Sequence, residues 1–231
     1  MIAVVTSTVK PEIIGRSFYS FQERLNQTRQ TLIKLQKFGF NTIYVIDNSI
    51  SLDQSSLDQL FIDFPTVKFF HIMQYQFHNK GVNELLMLLY LTRYIPGNEH
   101  IFKLSGRYYP NQSFIKPNFT DFAVKTYHYN NRNGTISTRG YWIKDVNIMQ
   151  NFLLKCLNEV FAYPERIVGI RSLYKKLKSS ILYKSTPPLN ISIEFASANV
   201  LKKEKYHLTF MNNIGIEGLV AGADHFENII E

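Results

Sequence analysis

The stretch from His78 to Asn111, HNKGVNELLMLLYLTRYIPGNEHIFKLSGRYYPN, decides how this chain is read. It divides into a polar, glycine-containing turn, a mostly apolar helix over Gly81–Tyr94 and a short strand over Ile101–Leu104. Ser105-Gly106-Arg107-Tyr108-Tyr109 then closes the strand. Open α/β sheets bind their ligands at the carboxyl ends of the strands. A Ser-Gly-Arg turn at such an end offers backbone N–H groups, a hydroxyl and a guanidinium, which suit an anionic group such as phosphate. The plainer alternative is a β-turn whose Arg107 makes a surface ion pair.

Upstream, Ile2–Thr6 is a short β-branched run and reads as a buried strand, with Thr6, Ser7 and Thr8 at its carboxyl end. A loop over Val9–Ser20 leads to a helix over Phe21–Phe38, with Leu25, Leu32 and Leu35 on one face and Gly39 as its stop. A second strand, Thr42–Ile46, ends in Asp47-Asn48-Ser49. A helix over Leu52–Phe64 follows, with Ser51 as N-cap and Gln54 completing a capping box, and then a third strand over Val67–Ile72. The order β-α-β-α-β-α-β predicts a three-layer, mostly parallel α/β sheet of the Rossmann-like kind.

Downstream of Tyr109 the pattern changes. Strands over Phe122–Tyr129 and Thr135–Trp142 flank Asn133-Gly134, a strong hairpin signal. Helices are expected over Val146–Val160 and Glu165–Leu182, a break at Pro187-Pro188, and short strands at Ile191–Phe195 and His207–Met211. A partly mobile tail begins at Asn212 and holds three glycines. The 231 residues thus divide into two halves of one domain, 1–111 for a ligand and 112–231, an α+β portion, for a second substrate.

Composition narrows the partners. Net charge is +8, which fits nucleic acid, an anionic membrane surface or phosphorylated substrates. The basic residues form no continuous stripe, so nucleic acid is not expected. The densest group runs from Arg166 to Lys184, where Ile167, Ile170, Leu173, Leu177 and Ile181 recur at helical spacing. This basic amphipathic segment is either a surface helix packed on the core or a peripheral contact with an anionic membrane. The single Cys156 excludes an intramolecular disulfide and fits a reducing compartment. No basic leader precedes the first strand, and no run reaches the ~18 apolar residues of a spanning helix. A cytoplasmic protein, peripheral at most at the inner membrane face, is expected. No P-loop, dinucleotide fingerprint, zinc pattern or nucleophile elbow occurs.

Three segments are candidates for chemistry. Asp47 and Asn48 either accept hydrogen bonds from a nucleoside or form a turn that bonds its own backbone. His78-Asn79-Lys80-Gly81 is either a phosphate-reaching turn or a solvated loop with an N-cap; Asn83 and Glu84 lie one turn inside and face the same cleft. Ser105, Gly106 and Arg107 complete a set, with Asp47 and Lys80, expected on one rim of the sheet.

VVTST at the first strand, YVIDNS at the second, HNKGVNE before the third helix and IFKLSGRYY at the fourth strand together resemble the nucleotide-sugar half of GT-A fold glycosyltransferases. The resemblance covers about half the chain. It implies a donor site of Thr6, Ser7, Asp47, Asn48, Lys80, Asn83, Ser105, Gly106 and Arg107. It also implies an Asp-x-Asp motif holding a divalent metal at the fourth strand. Here Ser105-Gly106-Arg107 stands in that slot and no D-x-D occurs, so no cofactor is expected. Arg107, with Lys80 or Lys103, is expected to stabilise the departing diphosphate in place of a metal. An inverting transfer needs a base for the acceptor hydroxyl. Glu194, read on a strand, is the first candidate, with Asp145 and His207 behind it. Arg139, Tyr141 and Trp142 form either an acceptor wall or a hairpin packed on the core. Arg24 and Gln27 are further candidates for contact with the donor. The resulting expectation is a metal-independent glycosyltransferase acting on a glycan or lipid-linked acceptor. The rivals are a nucleotidyltransferase and a non-catalytic nucleic-acid-binding protein.

Overall fold

A computed structural model describes residues 1–11, 19–74, 77, 79–131, 133–162, 170, 173, 174, 177, 191–219 and 228–231. Seven strands form the main sheet in the order β10-β6-β9-β4-β1-β2-β3. The core of that sheet is β1 (Ile2–Ser7), β2 (Thr42–Asp47), β3 (Val67–His71) and β4 (Ile101–Ser105), all parallel. Their connections are α1 (Phe21–Lys37), α2 (Gln54–Leu60) and α3 (Lys80–Leu91). A short β5 (Tyr108–Pro110) follows β4. β6 (Phe122–Val124) and β10 (Leu208–Phe210) run parallel to each other, and β9 (Gly140–Ile143) is antiparallel to both β4 and β6. The mostly parallel three-layer sheet read from the sequence is therefore what the chain builds.

Strand alternation sorts the core. Ile2, Val4, Tyr44, Ile46, Ile101 and Tyr141 face α3, α4 (Val146–Ala162) and α5 (Ile193–Lys203). Ala3, Val5, Ile43, Val45, Phe102, Leu104 and Trp142 face α1 and α2. Period-two alternation between two buried faces explains why these strands read as continuous apolar runs.

Local chemistry sets the helix ends. Ser20 and Glu23 form a capping box on α1. α2 starts later than the sequence suggests: Asp53, not Ser51, accepts the Ser56 N–H at 2.7 Å. Gln54 is thereby released to bond Phe69 O and the His71 N–H of β3. The Asp53 carboxylate also interacts favourably with the positive end of the helix.

One expectation fails in the second half. Ile191–Phe195 alternates like a strand, yet Ile193 opens α5, capped by Ser192. Ile193, Ala196, Val200 and Leu201 share one helical face and are buried, so a long amphipathic stripe overrides a short period-two run. Of the tail expected to be partly mobile, residues 220–227 lie outside the described residues, and two strands form among the rest. β11 (Ile216–Leu219) pairs with β5 and with β12 (Asn228–Ile230). Gly215 has φ +78°, and a Cβ there would lie 2.3 Å from Phe114 Cα, so that glycine serves a tight turn rather than mobility. The expected hairpin forms as β7 (Thr126–Tyr127) with β8 (Thr135–Ile136). Of the helix expected over Glu165–Leu182, Ile170, Leu173, Tyr174 and Leu177 are helical and exposed. The remaining residues of that helix, and Pro187-Pro188, lie outside the described residues.

Candidate functional site

The strand order 3-2-1-4 reverses direction between β1 and β4. α1 and α2 lie on one face and α3 on the other, so the carboxyl ends of β1 and β4 form the switch point where such sheets bind ligands. Thr6 and Ser105 are register partners there.

The Ser105-Gly106-Arg107 turn is anchored through its backbone. Ser105 N–H donates to Arg139 O at 2.9 Å, Gly106 N–H to Thr6 O at 2.8 Å and Arg107 N–H to Ser105 O at 2.7 Å. The backbone donors expected to meet an anion are thus spent inside the protein. The side chain carries the remaining potential. Arg107 lies over the Tyr108 ring, 5.5 Å from its centroid, and its Nη1 is buried with no hydrogen-bond partner among the described residues.

Arg24, on the first turn of α1, stands beside it. Its Nε and Nη2 donate to Thr8 O at 3.1 and 2.9 Å. Burial, and then the Arg107 charge, push the Arg24 guanidinium down to about 9. Neither arginine makes an ion pair among the described residues. Two guanidiniums so placed attract an anion with two or more acceptor oxygens.

Asp47 is fully buried. Its Oδ2 accepts the Val9 N–H and its Oδ1 the Ser49 N–H, both at 2.8 Å. Asn48 Oδ1 accepts from Thr8 Oγ1 at 2.6 Å. These residues tie the β1 and β2 tips together, so the turn alternative describes Asp47 better than a nucleoside contact. Ser7 Oγ lies 3.4 Å from Thr28 Oγ1, also inside the α1 interface.

The α3 side of the tips is built differently. Lys103 is fully buried, pairs with Glu84 and donates to Thr138 O and to Ser105 Oγ. All three ammonium donors are used, so Lys103 has none left to replace a metal at a diphosphate. Thr138 Oγ1 donates to Glu194 at 3.1 Å. Glu194 lies in the first turn of α5, not on a strand, and this bond turns it toward the network. Asn79 caps α3 and donates to Ile191 O at 2.8 Å. A Cβ on Gly81 would sit 2.7 Å from Ile193 Cβ, so this glycine is required for the close approach of α3 and α5. Asn83 spends its amide on both backbone groups of Phe77, at 2.9 Å each, and is not open to a donor. Lys80 is exposed at the start of α3, and His78 lies outside the described residues.

The predicted donor residues thus reach one rim but not one face. Arg107, Asp47 and Ser7 lie on the α1 side, and Thr6, Ser105 and the start of α3 on the other. The acceptor wall does not form. Trp142 is fully buried against Phe102, Phe114 and Phe40, with ring centroids 4.8, 5.9 and 6.0 Å away. Tyr141 is buried in the opposite cluster. Arg139 pairs with Glu231, which also accepts from Ser137 Oγ at 2.7 Å and from Tyr127. Burial, with the bond to Glu231, pushes the Tyr127 hydroxyl up to about 12. The alternative of a hairpin packed on the core is the one realised. Asp145 accepts the Ile148 N–H at the start of α4, and Asp121 Oδ2 accepts the His207 N–H; both have local structural roles.

No protein-family model and no curated protein matches this sequence. Solved structures do match in fold. A nucleoside-diphosphate-sugar pyrophosphorylase from Vibrio cholerae aligns with a TM-score of 0.50 at 10% identity, over 97% of this chain and 96% of that one. A protein assigned as a glucose-1-phosphate thymidylyltransferase, from Bacillus anthracis in complex with a sucrose, aligns with a TM-score of 0.48 at 10% identity, over 94% and 89%. The first match shows the fold alone: this chain shares its Rossmann-like α/β architecture.

The residues in the Asp-x-Asp slot do not fit a divalent cation. Ser105 Oγ already takes a Lys103 donor, and Arg107 is itself cationic. Among the described residues no group of three or more His, Cys, Asp or Glu converges. Cys156 is buried, and burial pushes its thiol up to about 12, so it has no nucleophile character. Glu84 is the functional candidate that the sequence under-weighted. Its signal was Lys103, a lone charge within an otherwise apolar strand.

Proposed function

We propose that this chain is a nucleotide-sugar-dependent transferase and, within that class, a glycosyltransferase. The observation that carries the reading is the Arg24–Arg107 pair at the switch point, where one guanidinium nitrogen is buried without a partner among the described residues. A nucleoside diphosphate brings oxygens for both guanidiniums and relieves their mutual repulsion. As the anomeric C–O bond breaks, the electron pair leaves on the diphosphate, and fixed cations stabilise the charge that develops there. The acceptor hydroxyl oxygen forms the new bond to the anomeric carbon and passes its proton to a carboxylate. Glu194, reaching the tips through Thr138, is the base in this reading, and direct displacement with inversion follows. Lys80 remains a candidate for the diphosphate from the other side.

The acceptor in this reading is a glycan or lipid-linked hydroxyl of surface-polysaccharide or glycoconjugate assembly. Exposure of Ile170, Leu173, Tyr174 and Leu177, at 86, 39, 65 and 49%, supports peripheral contact with an anionic membrane. The basic residues interspersed with them in the sequence strengthen that support.

Isothermal titration over a panel of nucleoside diphosphates and nucleotide sugars tests the proposal, followed by donor hydrolysis with manganese and with chelator. Binding in the wild type that Arg107→Ala abolishes supports it. Absence of nucleotide binding, or binding unchanged by Arg107→Ala, overturns it. The end-to-end fold match to a pyrophosphorylase favours one second reading, nucleotidyl transfer from a nucleoside triphosphate to a sugar phosphate. The product separates the two: released pyrophosphate marks nucleotidyl transfer, and released nucleoside diphosphate marks glycosyl transfer.

A further inference from the structure

We infer that Glu84 reads the hydroxyls of the transferred sugar, with Lys103 as its positioning residue; the inference rests on the nucleotide-sugar reading above. The Lys103–Glu84 ion pair has one closed end and one open end. Lys103 is 0% exposed, and its three donors are taken by Glu84, Thr138 O and Ser105 Oγ. The Glu84 side chain is 23% exposed. Its Oε1 meets Lys103 and, at 3.4 Å, Thr6 Oγ1, while its Oε2 has no partner among the described residues. The open oxygen lies at the switch point, because Thr6 also holds the Gly106 N–H through its carbonyl.

The charge balance suits a sugar beside a diphosphate. A lone carboxylate here would repel the phosphates that Arg24 and Arg107 attract. Paired with a buried ammonium, the unit is neutral overall, yet its free oxygen still accepts O–H groups. A sugar ring offers several such donors and no charge. Packing alone does not call for the pair, since an apolar side chain would fill the Lys103 position without the desolvation of an ammonium.

The frame is rigid. α3 is fixed at its start by the Asn79 cap and by the Gly81–Ile193 contact, and Asn83 pins Phe77 beside it. Side chains on such a frame keep the geometry that discrimination between sugars requires. Lys103 also links Glu84, through Thr138, to Glu194. The sugar reader and the candidate base thus share one support.

The test is the ratio of Kd for a nucleotide sugar to Kd for its bare nucleoside diphosphate, measured by calorimetry. UDP-glucose, UDP-N-acetylglucosamine, GDP-mannose and dTDP-glucose serve as probes. Glu84→Gln is expected to raise that ratio at least tenfold for the preferred donor and to leave diphosphate affinity within twofold. The double variant Glu84→Met/Lys103→Met leaves no unpaired buried charge and is expected to behave alike, which keeps the test open should the single variant fold poorly. A ratio unchanged in the double variant, or sugar and diphosphate affinities falling together, overturns the inference while the nucleotide reading stands. No nucleotide binding by the wild type removes both.

Discussion

On the α1 side of the strand tips, Arg24 and Arg107 stand together and neither has an ion-pair partner among the described residues. On the α3 side, Lys103 has a carboxylate and two further oxygens on its three donors. Both sides place basic side chains near the ends of the same two strands, yet only the first leaves its positive charge uncompensated among the described residues. A count of positive charges would have treated them alike. The accounting of hydrogen bonds separates the anion site proposed above from a cation already fully bonded within the protein.

That contrast is open to direct attack. The largest expected effect falls on the compensated side. Glu84→Met leaves a buried ammonium without its counter-charge and is expected to destabilise the fold by about 3–5 kcal/mol in urea denaturation. The double variant with Lys103→Met should recover most of that loss, and equal losses would mean that the pair contributes nothing specific. Next comes Arg107→Ala, expected to weaken nucleoside diphosphate binding by about 3 kcal/mol, on the order of 100-fold, through lost charge-assisted hydrogen bonds. Its melting temperature should hold or rise, because the change removes one of two repelling charges.

A smaller effect is pH-linked. The Arg24 guanidinium is pushed down to about 9 by burial and by Arg107. Its proton is therefore expected to be held at neutral pH and to be lost earlier on the alkaline side than that of an ordinary guanidinium. Anion binding needs the proton, so affinity should be flat from pH 7 to 8. It should then fall above about 9, by up to about tenfold per pH unit. A flat profile to pH 10 would show that Arg24 stays charged and that its neighbour perturbs it little. The smallest effect is expected for Thr6→Val. Its hydroxyl reaches Glu84 at only 3.4 Å, and the loss should stay below about 1 kcal/mol in stability.

Much of the fold was legible in the residues. Continuous β-branched runs marked β1 and β2, Leu25, Leu32 and Leu35 marked the buried face of α1, and Asn133-Gly134 marked the hairpin. These signals are local, and the packing agrees with them. Glu194 was misplaced because five alternating residues looked like a strand, whereas the stripe that makes them helical extends to Leu201. The requirement for glycine at position 215 was not legible, because a sequence carries no record of the neighbour, here Phe114, that forbids a side chain.

The candidate site was legible only in part, and the reason is geometric. The sequence by itself determined that Thr6, Asp47, Ser105 and Arg107 end strands of a parallel sheet, because hydrophobic period and strand order are written along the chain. It also showed Arg24 on the first helix. Only the tertiary structure decided which of these groups remain available. It spent Asp47 on the Val9 and Ser49 amides, buried Trp142 among phenylalanines, closed Lys103 with three oxygens and set Arg24 beside Arg107. A residue's type fixes what it can bond, but the partners that reach it first come from distant parts of the chain.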